Sequence, residues 1–514
     1  MMLTMLPLPR IVCYVFTVNI RLTAMTTIIE TTIRSFVART AMRIGAYNRQ
    51  WMKPLPAAHP FLSGMNAPIA EERTFNDLAV KGSIPAELDG RYIRIGPNPL
   101  GTPHAPSYHW FVGDGMVHGV RLKNGRALWY RNRWVRNGHV SAELGEPGTP
   151  GPRNGNLDTV NTNVIGHAGK TWAVVEAGSY PVRLDEELNC VAYDPFDGSL
   201  KGSFTAHPHL DPDTGELHAI CYEGSNLNIV RHVVVNANGV VRREEPIPVQ
   251  HGPMIHDCMI TKQYVLVFDL PVTFSMNRLL RGFAFPYAWN DQHRARIGLL
   301  PREGRANDII WCEVDACALF HPANAHEQAD GTVVVDVCAH HELFNTSTMG
   351  PDSKTIAFER WTIDPVSRRT NRRVIDAAPQ EFPRIDETLI GKPYRYAYTL
   401  ALAERNAFSE ASSCLYKHDL HAGTREVHDF GPNQVPGEFV FVPKAPAAAT
   451  PNSGHGASTR TEDDGWLIGY VADSAGPSSA LVILDALRFA AEPQAVVTIP
   501  GRIPNGFHGN WIST

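Results

Sequence analysis

Hydrophobic and polar residues alternate in short runs from about residue 91 to the end of the chain. The runs are rich in β-branched and aromatic residues and are bounded by Gly, Asp, Asn or Pro, which is typical of antiparallel strands joined by tight turns. The clearest predicted strands and hairpins are 163–175, 228–235 with its return after 236–239, 264–268, 332–338, 358–363 with 372–375, 414–419 with 424–430, and 466–473 with 480–485.

Several of the predicted hairpins share one turn chemistry. The pairs Asn124-Gly125, Asn238-Gly239, Asp330-Gly331 and Asp464-Gly465 tolerate the positive φ angles of two-residue turns. About 420 residues of such strands would form about seven units of about 60 residues, which lies within the blade number of β-propellers. The pattern therefore predicts an all-β fold and favours a seven-bladed propeller, while a sandwich or a pair of barrels stays open.

Two segments depart from the strand pattern. In residues 26–49, Ile29, Ile33, Phe36, Val37 and Ile44 recur at helical spacing between arginines 34, 39, 43 and 49. This predicts a basic amphipathic helix that lies flat on a membrane or packs against the protein body. Residues 276–305 are predicted to form a partly helical insertion, part of a dome of loops and helices over the propeller axis. We therefore divide the chain into an N-terminal extension, 1–49, and a single propeller domain, 50–514.

Composition and charge narrow the class of protein. The net charge is −5 and no basic run is present, so we expect no nucleic-acid partner. The eight cysteines form no C-x-x-C pair, which favours buried thiols in a reducing, cytoplasmic environment, with membrane contact at most peripheral. The apolar stretch at 11–18 is too short to span a bilayer, and a translation start at Met25 fits as well as one at Met1.

Twenty-two histidines are the first sign of metal chemistry. His207, His256, His321 and His508 lie far apart in the chain, and no helical His-x-x-x-His motif joins them. In a propeller the innermost strands of all blades approach one axis, so such distant residues can meet there. Spacing alone does not select these four, because His209, His251 and His326 lie within five residues of a member of the set.

The sequence resembles the carotenoid cleavage oxygenase family, particularly its bacterial members. Matches run in the family's order from about residue 65 to the end, and their joint occurrence is far more specific than any one of them. The matching stretches are RYIRIGPNP (91–99), WFVGDGMVH (110–118), NTNV (161–164), AHP (206–208), MIHD (254–257), FHPANA (320–325), EFPRI (381–385) and GFHG (506–509).

This resemblance implies a seven-bladed propeller with one Fe(II) on its axis, held by His207, His256, His321 and His508. It also implies that three carboxylates, Glu176, Glu381 and Glu438, accept hydrogen bonds from the far nitrogens of the iron-bound rings, as metal-bound histidines usually require. Thr162 matches a family position that partly shields a vacant coordination site; its hydroxyl could instead be satisfied within its strand. The family often has Tyr where this chain has His326, a departure that leaves the ligand assignment intact.

The activity that the resemblance implies is cleavage of a C=C bond of a carotenoid or apocarotenoid with O2 to give two carbonyl products. Four neutral imidazoles leave the metal its full charge, so the ligand set demands no anionic cosubstrate. An apolar tunnel would admit the substrate, and its candidate wall residues are Trp110, Phe111, Phe274, Phe320 and Phe382. Two alternatives stay open. One is cleavage of a stilbene-type phenolic alkene, which is disfavoured because the Gly/Pro-rich stretch that follows Arg136, with Gly145–Gly155, has no clear lysine. The other is a propeller that binds ligand without turnover. A dioxetane or another intermediate fits the cleavage equally.

Overall fold

Short strands make up most of this computed structural model, which describes residues 40–224, 226–353, 356–403, 412–444 and 460–514. The described residues contain 32 strands and few helices, so the all-β prediction is confirmed. In chain order the strands are β1 (Thr74–Asn76), β2 (Val80–Gly82), β3 (Gly90–Pro97), β4 (Gly115–Lys123), β5 (Arg126–Trp134), β6 (Asn163–His167), β7 (Lys170–Val174), β8 (Val182–Leu184), β9 (Cys190–Tyr193), β10 (His209–Leu210), β11 (Leu217–Glu223), β12 (Asn226–Val235), β13 (Val241–Pro248), β14 (Cys258–Ile260), β15 (Tyr264–Asp269), β16 (Val272–Phe274), β17 (Tyr287–Trp289), β18 (Arg296–Pro301), β19 (Ile310–Glu313), β20 (Ala318–Glu327), β21 (Val333–His340), β22 (Ile356–Asp364), β23 (Arg369–Asp376), β24 (Gln380–Arg384), β25 (Tyr396–Ala401), β26 (Cys414–Asp419), β27 (Thr424–Asp429), β28 (Gln434–Pro443), β29 (Gly465–Asp473), β30 (Ser479–Asp485), β31 (Ala495–Ile499) and β32 (Gly509–Ser513).

The strands form meanders in which consecutive strands usually pair. Five sheets have four or five strands, in the orders β1-β5-β4-β3-β32, β6-β7-β8-β9, β10-β11-β12-β13, β24-β25-β26-β27 and β2-β31-β30-β29-β28. A further sheet has eight strands, β14-β15-β18-β19-β23-β22-β21-β20, and its two antiparallel halves meet at a single parallel pair, Glu313 with Arg369. The arrangement is propeller-like, as predicted.

The two ends of the strand region close the arrangement. The last strand, β32, pairs antiparallel with β3, opposing Gly509 to Arg94, and β2 pairs with β31. Hydrophobic clusters fill the space between neighbouring sheets; one of them joins Tyr92 and Val120 to Ile468 and Ile483. Because late strands complete early sheets, strand pairing between the two ends of the strand region closes the ring.

Helices are short in the described residues. Residues 40–49 are helical (α1), and two further helices are α2 (Gly138–Leu144) and α3 (Met276–Leu280). Single 3-10 turns occupy Pro60–Leu62, Gly64–Asn66, Ala105–Ser107, Trp110–Val112, Ala306–Asp308, Glu387–Leu389 and Ala486–Arg488. No helix in the ranges given above has both the length and the apolar character needed to cross a membrane.

Two predicted helical segments can be compared with the structure. Residues 276–305 are partly helical as predicted, with the helix confined to Met276–Leu280, whereas Tyr287–Trp289 and Arg296–Pro301 are strands. The sequence did not reveal these strands, because a short apolar run such as 297–300 does not distinguish helix from strand by its periodicity. The predicted helix over 26–49 is described only from residue 40; residues 26–39 lie outside the described ranges.

The turn chemistry holds at one hairpin and fails at another. Asn124 (φ +50°) and Gly125 (φ +72°) are both left-handed between β4 and β5, as a two-residue turn of this kind requires. In the pairs at 238–239 and 330–331 only the glycine has positive φ. The prediction for Asp464-Gly465 is wrong, because Gly465 is the first residue of β29 and has no positive φ.

We predict that Gly115→Ala destabilises the fold. Gly115 begins β4 within the WFVGDGMVH stretch, and a Cβ there would lie 1.8 Å from the carbonyl oxygen of Val160. Backbone must shift to relieve this contact, at a cost of about 1–3 kcal/mol in the free energy of unfolding. Urea unfolding would measure it, with Gly148→Ala as control, since that site is exposed and its nearest atom is 3.7 Å away. Equal unfolding midpoints for the two variants would contradict the prediction.

Candidate metal centre

The four predicted histidines lie in or just before four strands, β10, β14, β20 and β32, each at the edge of a sheet, and these strands bring them together. His321 lies in β20, while His207, His256 and His508 each lie one or two residues before β10, β14 and β32. All four side chains are buried, and each offers a ring nitrogen within 4.8 Å of the nitrogens of the others. The distant chain positions therefore converge on one point, as the propeller argument required.

Three of the rings are oriented by glutamates. His256 Nδ1 donates to Glu176 Oε2 at 2.5 Å, and His321 Nδ1 donates to Glu381 Oε2 at 2.6 Å. His508 Nδ1 lies 3.0 Å from Glu438 Oε1 and donates to it. With a proton on each Nδ1, these rings present the lone pair of Nε2 to the common centre.

The converging nitrogens fit a metal ion. The Nε2 atoms of His256 and His321 are 3.2 Å apart, and their lone pairs face one centre. The Nε2 atom of His207 is buried and has no hydrogen-bond partner. Unpaired buried acceptors are costly unless a cation accepts their lone pairs, so a nitrogen-liganding metal is the group that this arrangement suits.

The charges around the centre support the same conclusion. Burial lowers the pKa of His207 far below its usual range and the pKa of His508 to about 4, so both rings are neutral ligands. Burial also lowers the pKa of His321, but the Glu381 carboxylate outweighs it and the net shift is upward. Burial alone would raise the pKa of Glu381, yet His321 and His340 bring it to about 2, so it is ionised.

Several residues that complete the site had no assigned role in the sequence analysis. Arg384 Nε donates to Glu438 Oε1 at 2.9 Å, His340 Nε2 lies 2.9 Å from Glu381 Oε1, and Tyr222 donates its hydroxyl proton to Glu176. Arg384 lies within the matched stretch EFPRI, and that match was the only sign in the sequence that it could belong to the site. Tyr222 and His340 lie in ordinary strand patterns, and nothing in the sequence marked them.

Thr162 lies directly beside one of the histidines. Its backbone carbonyl accepts a hydrogen bond from the His508 N–H at 3.1 Å, and its hydroxyl donates to Asn161 Oδ1 at 2.9 Å. The hydroxyl thus has its hydrogen-bond acceptor in the neighbouring residue, which resembles the local role that the sequence analysis gave as one of two possibilities.

Aromatic side chains cover one side of the four histidines. The Phe320 ring centroid is 4.9 Å from that of His256, and Phe111 lies 5.9 Å beyond Phe320. Trp110 packs further out against Phe61 and Phe507, and Phe274 contacts Tyr287. The segments that carry these rings are tied together by backbone hydrogen bonds such as Trp110 N–H to Met349 and Ala284 N–H to Ser107. These loops correspond to the predicted dome.

Phe382 differs from the other predicted wall residues. Its ring stacks on His321 at 5.2 Å and lies 5.3 Å from His508. Its φ of +53° is in the left-handed region, a strained conformation for a bulky residue that is found mostly at functional sites. It lines a cavity of about 840 Å³ on the polar side of the histidines, together with Asp257 and Arg384.

Comparison with known proteins gives a consistent picture. A family model described as "Retinal pigment epithelial membrane protein" (RPE65) matches residues 66–513. A carotenoid cleavage oxygenase of Mycobacterium tuberculosis is 39% identical over 505 residues, which cover 89% of this chain and 98% of that protein.

Two solved structures extend the likeness to the fold. The lignostilbene dioxygenase of Pseudomonas brassicacearum superposes with a TM-score of 0.78 at 28% identity, covering 90% of this chain and 100% of that one. A cobalt-substituted apocarotenoid oxygenase of Synechocystis superposes with a TM-score of 0.75 at 26% identity, covering 87% and 97%.

Proposed function

The chain belongs to the RPE65/carotenoid cleavage oxygenase family, and from that membership we propose that it is a non-haem iron(II) dioxygenase acting on a carotenoid or apocarotenoid. It would cleave one C=C bond with O2 and release two carbonyl products. The observation that carries this proposal is the convergence of four buried imidazoles within 4.8 Å, three of them bonded to carboxylates, of which Glu381 and Glu438 are buried and Glu176 is half-buried. A scaffold that only binds ligand would have no need of this set.

We assign His207, His256, His321 and His508 as the ligands of one Fe(II). Iron bound there would supply the redox chemistry that lets O2 react with an alkene. The chain itself contributes fixed ring orientations, because Glu176, Glu381 and Glu438 hold the far nitrogens. The four rings are neutral. The positive charges of a divalent ion and of Arg384, which pairs with Glu438, therefore balance the charges of the three carboxylates.

The aromatic side of the site suits a flat, apolar, conjugated substrate. Phe320 and Phe111 form a continuous edge-to-face path that begins at His256, so an alkene stacked there lies next to the metal centre. We propose that Trp110 and Phe274 belong to the wider wall and that Thr162 partly shields one coordination position. Phe382 lines the cavity on the other side of the histidines, so we leave it out of this wall. The cleaved bond is then selected by how far the chain of the substrate extends along this path.

A stilbene-type phenolic alkene is the second candidate substrate. It is supported by the likeness to the lignostilbene dioxygenase, whose TM-score of 0.78 slightly exceeds that of the apocarotenoid oxygenase. We place it second because the relative at 39% identity is named a carotenoid cleavage oxygenase and the stretch 137–155 contains no lysine.

We also propose that the propeller has seven blades. This counts the two halves of the eight-stranded sheet as separate blades, since only Glu313 and Arg369 join them. The edge strands β32, β6, β10, β14, β20, β24 and β28 would then be the innermost strand of each blade, and most neighbours among them are in contact. On this basis residues 50–514 form one propeller domain, with 1–49 as an extension.

The function is tested by anaerobic reconstitution with Fe(II) followed by exposure to O2. A carotenoid, an apocarotenal and a hydroxystilbene are offered in parallel, and products are identified by mass with ¹⁸O2 as the oxygen source. We expect cleavage of the first or second compound, with label in both carbonyl products. Turnover of the hydroxystilbene alone would favour the second candidate, and no oxygen-dependent cleavage of any would refute the enzyme assignment.

Peripheral membrane contact is proposed for helix α1. Its buried face at Ala41 and Gly45 packs on α3, where a Cβ at Gly45 would meet the Leu279 carbonyl, so the helix is docked on the protein body. Its outer side leaves Met42 52%, Tyr47 61% and the following Trp51 71% exposed. Exposed aromatic residues beside arginines are the groups that enter a lipid interface.

We predict that Trp51→Ser weakens binding to anionic liposomes by about 30-fold, because burying a large aromatic ring contributes about 2 kcal/mol. Sedimentation with liposomes measures it. Val366→Ser is the matched control, since Val366 is 91% exposed in the turn between β22 and β23. Equal sedimentation of wild type and both variants would exclude a role for this surface.

A further inference from the structure

The two sides of the four-histidine centre differ in polarity. Phe320 and Phe111 cover one side, while the other side faces the cavity of about 840 Å³. A hydrated divalent cation cannot cross an aromatic layer without losing its water, and burying an uncompensated charge costs many kcal/mol. A metal ion that reaches the centre of the folded protein must therefore come through the polar cavity.

This cavity, which we call the axial channel, connects the centre to the surface. Its lining begins at the buried His207, His321 and His508 and extends to Glu186, Leu210 and Glu387, which are exposed. Four carboxylates line it, against three cationic side chains. Arg384 is paired with two of these carboxylates, Glu387 and Glu438, and Lys170 is paired with Asp197. The remaining carboxylates, Glu186 and Asp257, outnumber the remaining cation, Arg91, so the lining favours a divalent cation over an anion.

One histidine and one aspartate lie in the channel directly outside the centre. His209, at the start of β10, is half-buried, and its Nε2 lies 2.8 Å from Asp257 Oδ1. The other oxygen of Asp257 lies 3.7 Å from Nδ1 of His207, the one ligand ring that no glutamate orients in the described residues. His209, Asp257 and Cys258 form a group whose potential ligand atoms all lie within 4.8 Å of one another.

We propose that His209 and Asp257 form a capture site where an incoming divalent metal ion is held before it moves inward to the four histidines. This inference rests on the proposed function of the inner centre as a metal site. An imidazole and a carboxylate supply two ligands of the kinds that first-row divalent ions accept, and water completes the shell. Asp257 lies beside both His209 and the outer nitrogen, Nδ1, of His207, so the capture site adjoins the inner centre.

The composition of the capture site fits a transient stop. Cys258 is buried and does not line the channel, and its thiol donates to the backbone carbonyl oxygens of His207 and His218 at 3.9 Å, so it adds no ligand there. The inner centre has four imidazole ligands, whereas the outer site has two protein ligands. The ion is therefore held more tightly at the inner centre, and the direction of transfer is inward.

The test follows Co(II) uptake by the metal-free full-length protein in a stopped-flow spectrometer, with Co(II) alone as the probe. We expect His209→Gln to slow the appearance of the inner-site absorption about tenfold while leaving its final amplitude at one ion per chain. The matched control is His139→Gln, because His139 also bonds to an aspartate, Asp114 at 3.0 Å, but lies outside the channel.

A second pair of variants probes the channel mouth. Glu186→Lys should slow uptake several-fold at low ionic strength and less in high salt, whereas Glu143→Lys, on the exposed side of α2, should not. Wild-type uptake rates in both His209→Gln and Glu186→Lys would overturn the capture site while leaving the inner centre intact. A wild-type protein that never gains one Co(II) per chain would instead refute the inner metal site, and the capture site with it.

Discussion

Replacing His256 by alanine is expected to abolish iron binding and to lower the rate of oxygen-dependent cleavage at least about a thousandfold. Its Nε2 lies 3.2 Å from that of His321, and its ring spans the distance between Glu176 and the centre of the site. Removing it deletes one of four ligands and leaves the Glu176 carboxylate buried without its donor ring. Loss of the metal removes several kcal/mol of barrier lowering, which corresponds to a factor of about 10³ or more.

Iron content by metal analysis and product formation by mass spectrometry measure this effect together. His326→Ala is the matched control, because His326 is a half-buried histidine of β20, the strand that carries His321, but is not among the converging four. It should retain one iron per chain and the wild-type rate. Full iron occupancy in His256→Ala would show that the ligand set is wrong.

Glu381→Gln is expected to weaken iron binding by about 10- to 100-fold, the usual effect of losing the acceptor behind a metal-bound histidine. Glu381 is fully buried and accepts hydrogen bonds from His321 Nδ1 at 2.6 Å, from the Phe382 N–H at 2.6 Å and from His340 Nε2 at 2.9 Å. A glutamine amide keeps the shape but turns one acceptor oxygen into a donor. At least one of the three groups that donate to Glu381 then faces the amide NH2 group, which is also a donor. The substitution also removes the negative charge that would stabilise a bound metal ion.

Competition with a chelator of known affinity gives the change in iron dissociation constant, and a melting curve reports stability separately. Glu359→Gln provides the control, since Glu359 is likewise buried and bonded to Arg372 and Trp361 but contacts none of the four histidines. We expect it to lower thermal stability without changing iron affinity. The same affinity in wild type and Glu381→Gln would mean that Glu381 only supports the fold.

The local architecture followed from the sequence with good accuracy. The hairpin at 163–175 and the strand pairs near 228–248, 414–430 and 466–485 appear as predicted. Alternation of period two and Asn-Gly turns act between neighbouring residues, so they can be read without knowing the rest of the fold. The errors fall where a short run carries little periodic signal, as at 296–301, or where a turn pair begins a strand, as at Gly465.

The candidate ligands needed more than the pattern. Spacing left 22 histidines to choose from, and the matched family stretches selected His207 over His209 and His321 over His326. The tertiary structure then brings ring nitrogens of the selected four within 4.8 Å of one another. His209 lies outside this group and is hydrogen-bonded to Asp257. The roles of neighbouring histidines thus differ because of the direction each side chain takes from its strand.

The sequence by itself determined the strands, most turns and, through the motifs, the four histidines and three glutamates. Only the tertiary structure decided that Tyr222, His340 and Arg384 complete the hydrogen bonding of those glutamates. It also placed Phe382 on the polar side of the centre and Phe320 on the aromatic side. The physical reason is ring closure: contacts across the axis join residues hundreds of positions apart, and their distances depend on how all the sheets pack together.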